Sequence, residues 1–219
     1  MNNYLPIIPA RAGSERLPGK NMRLLNEIPL IGHSIDYAQA NGFQNIVVTT
    51  NDSEVENYAI QEGINIVKRP DEIAGPHEPT LTALQHVLSQ LKQKYQAVIL
   101  LQPTNPLRPK ELLKEALAKF EAGDYDSLMT VTRSDKKLGK IKDTTFVPYN
   151  YIMGQRSQDI EPLYYENGLL YIIKTELILA GKLLGDNNFP FVVDHPYAEI
   201  DIDTLADFKK AEAYLNIDF

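Results

Sequence analysis

The chain has 219 residues, 43% of them apolar, with 12 Gly and 14 Pro scattered along it, which suits one α/β domain with a substantial core rather than a disordered segment. A formal charge of −7 argues against a nucleic-acid partner, because affinity for a phosphate backbone needs a broad basic face. The absence of Cys excludes a disulfide framework and a thiolate nucleophile, and His33, His77, His86 and His195 show no zinc-type pairing.

The first predicted element is the apolar strand Leu5 to Ala10, which opens into a loop within IIPARAGSERLPGKN, Ile7 to Asn21. Arg11, Arg16 and Lys20 are permanent cations here, Ser14 adds a hydroxyl, and Gly13 and Gly19 allow close backbone approach. The pattern points to an anionic ligand of the triphosphate kind, although a solvated basic connection explains the charges taken alone. It is not a Walker A loop, since Pro18 and Asn21 break the GxxxxGK[ST] spacing.

Short β-branched runs follow at Ile46 to Thr50, Ile64 to Val67, Val98 to Leu101 and Leu128 to Thr132, and read as buried parallel strands. Helical patterns separate them. Leu30 to Ala40 stops at Gly42, Ser53 with Glu56 makes a capping box for the next, and Thr80 to Leu91 and Lys110 to Ala122 continue the alternation. The expected fold is a doubly wound, mostly parallel α/β sheet whose ligand lies beyond the carboxyl ends of the strands, where Arg11 and Gln102 stand. From Arg133 to Gln158 the rhythm breaks into polar, Tyr-bearing sequence that reads either as a β-rich insertion or as a long loop. Leu169 to Ile173, Glu176 to Ala180, Phe191 to Val193 and a last helix from Thr204 to Leu215 return to one domain expected to span 1–219.

Three further stretches carry chemistry. Gln102, Pro103 and Thr104 enter a loop stiffened by Pro103, Pro106 and Pro109, and the Gln102 amide can donate to a phosphate or sugar-acid oxygen. EIDIDT places Glu199, Asp201 and Asp203 on one face of an extended segment, where a cation such as Mg²⁺ would offset their repulsion; Asp203 as a helix N-cap is the plainer alternative. Asn167 and Gly168 form an NG pair, the strongest short hairpin signal. The opening MNNYLPII has no basic segment leading a long apolar one, and no run reaches membrane-spanning length, so a cytoplasmic chain with no membrane association is expected.

The loop IIPARAGSERLPGKN resembles the N-terminal signature of the cytidylyltransferases that activate sialic and related nonulosonic acids, which usually reads IPARxGSKxxPxKN. The likeness recurs at LLQPTNPLR, ENGLLYI and EIDIDTLAD, and so covers essentially the whole chain. It implies a Rossmann-like nucleotidyltransferase that uses CTP and Mg²⁺ to place CMP on the anomeric hydroxyl of a nonulosonic acid. Nucleotide contacts would come from Arg11, Ser14, Arg16, Lys20, Asn21, Thr80 (or Thr82) and Gln102, with Arg11, Lys20, Asp201 and Asp203 serving catalysis and the two Asp holding the metal. Sugar contacts would come from Gln102, Arg156 and Asn167. The segment Arg133 to Gln158 would form a dimerisation insertion in a homodimer, carrying Arg156 toward the partner's site, though Ser157 interrupts the family's RRQ pattern. Gln102 stands where octulosonate-specific relatives carry Asp. Glu15 replaces a usual Lys, and Arg16 is expected to supply the missing phosphate contact while Glu15 turns outward or orients Arg16. Two other functions stay open: nucleotidyl transfer to another sugar acid or sugar phosphate, and nucleotide binding without turnover.

Overall fold

In the computed structural model, which describes residues 3–217, the central sheet begins with Tyr4–Pro9 (β1), buried on both faces. The termini of the expected 1–219 domain therefore lie outside the described residues. A small hairpin of Leu24–Leu25 (β2) and Ile28–Pro29 (β3) follows, turning through Asn26 and Glu27, both at positive φ. Then come Leu30–Ala40 (α1), Val47–Thr50 (β4), Ser53–Gln61 (α2), Asn65–Lys68 (β5), Thr80–Gln90 (α3), Ala97–Leu100 (β6) and Leu112–Ala122 (α4). The second half holds Ser127–Ser134 (β7), Gly139–Lys142 (β8), Thr145–Pro148 (β9), Leu163–Lys174 (β10), Thr175–Leu179 (α5), Asn188–Val192 (β11) and Leu205–Leu215 (α6).

Seven strands form one sheet in the order β11-β7-β10-β6-β1-β4-β5. Its pairings are parallel except around β10, which runs antiparallel to both β6 and β7. One face is covered by α1, α2 and α4, through residues such as Ile31, Ile35, Val55, Leu113 and Phe120; the other is covered by α3 and α5, through Leu84, Val87 and Ile178. Such two-faced cover is why these strands read as continuous apolar runs. A third apolar cluster joins Leu17 of the first loop to Ile200, Ile202 and Phe208, and thereby lays that loop against the start of α6.

Four local expectations are corrected. The cap of α2 is Asp52, whose carboxylate accepts from the Glu54 N–H, and Ser53 is already helical. Thr204, not Asp203, caps α6, in a capping box with Asp207. Asn167 and Gly168 make no hairpin turn; they form an irregularity inside β10, where the pairing register to β7 shifts between Glu166 and Tyr171. Arg133 and Ser134 still belong to β7, paired with Tyr164 and Leu163, so the β-rich excursion is the hairpin of β8 and β9, closed by Asp143 at φ 53.

The irregularity has a steric logic. Gly168 sits at φ 74, and a Cβ there would lie 2.8 Å from Asn105 Oδ1. Asn105 cannot retreat, because its fully buried amide donates to the carbonyls of Asn167 (3.0 Å) and Ile200 (2.9 Å). Gly168→Ala combines left-handed backbone strain with this clash, so urea unfolding is expected to show a loss of about 2–3 kcal/mol.

Candidate active site

The carboxyl ends of β1, β5 and β6 and the start of α3 surround a pocket of about 160 Å³. Arg11, Ser14, Lys20, Asn21, Thr80 and Gln102, all singled out from sequence, line it together with Arg69, Glu78 and Thr104. A larger hollow of about 910 Å³ lies between α1 and α4, but its two lysines, Lys110 and Lys114, are matched there by Glu111 and Glu121. The smaller pocket instead sets Arg11, Lys20 and Arg69 against the single acid Glu78, at the carboxyl ends of the strands.

Each side chain has a local reason for its place. Arg11 bends back so that Nη1 donates to the carbonyls of Ala12 (3.2 Å) and Gly13 (3.1 Å). The buried Asn21 amide donates to the Arg11 carbonyl at 3.1 Å and so clamps the two ends of the loop together. Thr80 opens α3 behind an N-cap, Pro79, that makes no side-chain cap, leaving its hydroxyl to the pocket rather than to capping. The Gln102 backbone carbonyl accepts from Arg108 at 2.8 Å, which anchors the residue through its main chain.

Asp203 bridges two of the loop's cations. Its Oδ2 accepts from Arg16 at 2.6 Å and its Oδ1 from Lys20 at 2.9 Å. The Lys20 side chain is 12% exposed and the Arg16 side chain 68% exposed, so the lysine contact is the better shielded and the stronger of the two. Glu15 is exposed, and Arg16 pairs with Asp203 instead of with it. Asp201 keeps part of its surface in solvent, yet desolvation on its protein side raises its pKa; the nearby charge of Asp203 adds to this, while Thr104 and Lys20 oppose it. The Thr104 hydroxyl has one proton for two acceptors, Asp201 and Asn105 Oδ1 (3.1 Å), and the charged acceptor holds it more strongly.

Arg16, Asp201 and Asp203 do not line the pocket themselves, although Asp203 is ion-paired to its Lys20, and three further residues singled out from sequence are engaged elsewhere. Glu199 ends a 3-10 turn, Pro196–Glu199, and pairs with Lys210 at 2.9 Å, so EIDIDT is not one extended strand with three carboxylates on a face. Arg156 lies exposed beyond the β8–β9 hairpin, bonded to Asp159. Asn167 is buried with its amide engaged by Thr130 (2.6 Å), Thr132 (3.0 Å) and the Leu169 N–H (3.1 Å), a set of partners that holds the β10 irregularity in shape.

Arg69 is the residue that sequence reading missed. It is 7% exposed and donates to the Thr49 carbonyl at 3.1 Å, but its Nε has no hydrogen-bond partner among the described residues. Burial, helped by the neighbouring charge of Arg11, lowers its pKa to about 10, and it remains a cation at neutral pH. It follows β5 directly, so the strand-end rule that singled out Arg11 and Gln102 would also have singled out Arg69.

Among the described residues, no three His, Cys, Asp or Glu side chains cluster into a metal cage. Asp201 and Asp203 nevertheless offer hard oxygen donors near Lys20 of the cationic pocket, and Mg²⁺ is commonly held by one or two carboxylates with phosphate and water completing its shell. No helix of the described residues is long and apolar enough to cross a membrane.

A family model described as Cytidylyltransferase matches residues 5–217. The N-acylneuraminate cytidylyltransferase of Streptococcus agalactiae serotype III (strain NEM316) is 31% identical over 222 residues, 97% of this chain and 53% of that protein. The chain thus spans about half the length of that relative. The CMP-N,N'-diacetyllegionaminic acid synthase of Legionella pneumophila subsp. pneumophila is 30% identical over 225 residues, 97% of this chain and 96% of that one. Among solved structures, a CMP:2-keto-3-deoxy-manno-octonic acid synthetase complexed with CTP superposes with a TM-score of 0.71 at 19% identity, over 97% of this chain and 98% of that one. At such identity the likeness speaks for the fold alone.

The Asp203 bridge makes a prediction that needs no turnover. A carboxylate bonded to Arg16 and Lys20 competes with any anion for them, so Asp203→Asn should tighten metal-free binding of inorganic tripolyphosphate by roughly threefold in calorimetry. Weaker binding by the variant would contradict that arrangement of charges.

Proposed function

Since this chain belongs to the cytidylyltransferase family, we propose that it transfers CMP from CTP to the anomeric hydroxyl of a nonulosonic, sialic-type acid and releases pyrophosphate. The observation that carries the reading is the convergence of Arg11, Lys20, Arg69 and Gln102 on one pocket, with Asp203 ion-paired to its Lys20. Arg11, Arg16 and Lys20 bind and orient the triphosphate, Asn21 holds their loop, and Thr80 and Arg69 face the rest of the nucleotide. Gln102 and Thr104 border the acceptor. The new O–P bond forms as the bond from the α-phosphorus to the bridging oxygen breaks, pyrophosphate leaves with that bond's electron pair, and the acceptor hydroxyl passes its proton to water. Positioning and charge neutralisation then carry catalysis, without a covalent enzyme intermediate.

Asp201 and Asp203 would hold Mg²⁺, which when bound screens the triphosphate and stabilises charge on the departing oxygens. Both carboxylates lie near Lys20, so a metal held there would share the neutralisation of phosphate charge with the lysine. A CTP-consuming reaction fits a cytoplasmic location.

The proposed active form is a homodimer built on residues 133–158. Two strands by themselves are marginal in water, and the hairpin residues Ile141 (79%), Phe146 (48%) and Tyr149 (59%), with Ile152 (78%) and Met153 (69%) just beyond, leave an apolar surface uncovered. A second copy would cover it and bring Arg156 toward the neighbouring site.

Two measurements test the reading. A pyrophosphate-release assay with CTP, Mg²⁺ and sialic, legionaminic or pseudaminic acid should give turnover with at least one acid, and Asp203→Asn should lower the rate at least about a hundredfold while the melting temperature holds. No turnover with any of the three would sink the assigned acceptor. By light scattering the protein should run as a dimer at micromolar concentration, and Ile141→Asp with Phe146→Asp should shift it to monomer; an unchanged mass would place the interface elsewhere.

A further inference from the structure

Loops after β1 and β5 form opposite walls of the pocket, and the loop after β4 lies between them, as the order β1-β4-β5 requires. Inside the sheet, backbone hydrogen bonds fix the spacing. Past the strand ends the last such bridges are the Ala10 N–H to the Thr49 carbonyl (3.0 Å) and the Arg69 N–H to the Thr50 carbonyl (2.7 Å). One residue further the loops diverge, and a side chain takes over: Asn51 Oδ1 accepts from the Ala12 N–H at 2.8 Å, and Asn51 Nδ2 donates to Asp71 Oδ1 at 3.0 Å. A carboxamide carries the same donor and acceptor as a peptide group, so Asn51 extends the ladder sideways through both loops at once.

These two loops need a tie. One carries Arg11 and the other Arg69 into the same pocket, like charges that push the walls apart until an anion arrives. We propose that Asn51 is a positioning residue that holds the two arginine-bearing walls at nucleotide-binding separation before the ligand is present, an inference that rests on the nucleotide reading given above. Its side chain contacts neither arginine head group among the described hydrogen bonds; it acts through the Ala12 backbone and the Asp71 carboxylate.

Exchange of donor and acceptor tests this directly. Asn51→Ala removes both bonds, and Asn51→Asp keeps an acceptor for Ala12 but sets a carboxylate against Asp71. The double variant Asn51→Asp with Asp71→Asn restores both bonds with their polarity reversed at the second. Calorimetric titration with CTP and Mg²⁺ should show about tenfold weaker binding for Asn51→Ala, comparable weakening for Asn51→Asp, and recovery to within about threefold of wild type in the double variant, with melting temperatures tracking the fold. A purely structural role would move the melting temperature without following this pattern of CTP affinity. CTP affinity of Asn51→Ala within twofold of wild type, or a double variant no tighter than Asn51→Asp, overturns the proposal. A wild-type protein that binds no CTP overturns the nucleotide reading itself and this inference with it.

Discussion

Arg108 is a buried guanidinium with no ion-paired carboxylate among the described residues, and the arrangement of the site depends on how that charge is satisfied. Its Nε donates to the Leu169 carbonyl at 2.7 Å, Nη1 to Ser34 Oγ at 3.1 Å and Nη2 to the Gln102 carbonyl at 2.8 Å. The head group also lies 5.5 Å from the centre of the Tyr37 ring. Desolvating a cation costs several kcal/mol, and only a full set of well-directed acceptors offsets it. Because those acceptors belong to α1, the loop after β6 and the interior of β10, meeting the charge's demand fixes three elements together. Burial lowers the guanidinium to about 10, so it stays charged and the constraint persists across the neutral range.

The Asn105 amide completes the same framework. It pins the β6 loop to Asn167 and to Ile200, and the Ile202 N–H donates back to the Thr104 carbonyl at 2.8 Å. Asp201 and Asp203 are thereby delivered to the neighbourhood of Lys20 by backbone bonds and by the burial of Ile200 and Ile202. The buried side chains alternate with the acidic ones, so packing each isoleucine inward turns each aspartate toward the cations.

An acidic chain with a local basic loop has an electrostatic problem when no anion is bound, and Asp203 answers it by lending Arg16 and Lys20 a counter-charge. Arg69 has no such partner among the described residues and instead leans on a backbone carbonyl with Nε unmet. The difference assigns the two regions different characters. The cations of the loop have a displaceable carboxylate as counter-charge, whereas the Arg69 wall is a standing demand for an acceptor.

Much was legible in sequence because the relevant signals are local. Apolar runs marked β1, β4, β5, β6 and β7 within two residues, Gly42 marked the end of α1, and the strand-end rule located Arg11 and Gln102, whereas β10 and β11 begin well before the runs read for them and the β2–β3 hairpin gave no signal. The clustered cations and paired aspartates were visible as chemistry because permanent charge needs a counter-charge wherever it folds. Sequence alone could not tell that NG at 167–168 lies inside a strand, that Glu199 turns away to Lys210, or that Asn51 spans two loops. Those outcomes depend on which distant group arrives opposite: Asn105 against Gly168, Lys210 against Glu199, Ala12 and Asp71 on either side of Asn51. Residue type and spacing determine what a side chain can bond, but only packing of elements far apart in the chain decides which partner comes within 3 Å, the range in which a hydrogen bond acts.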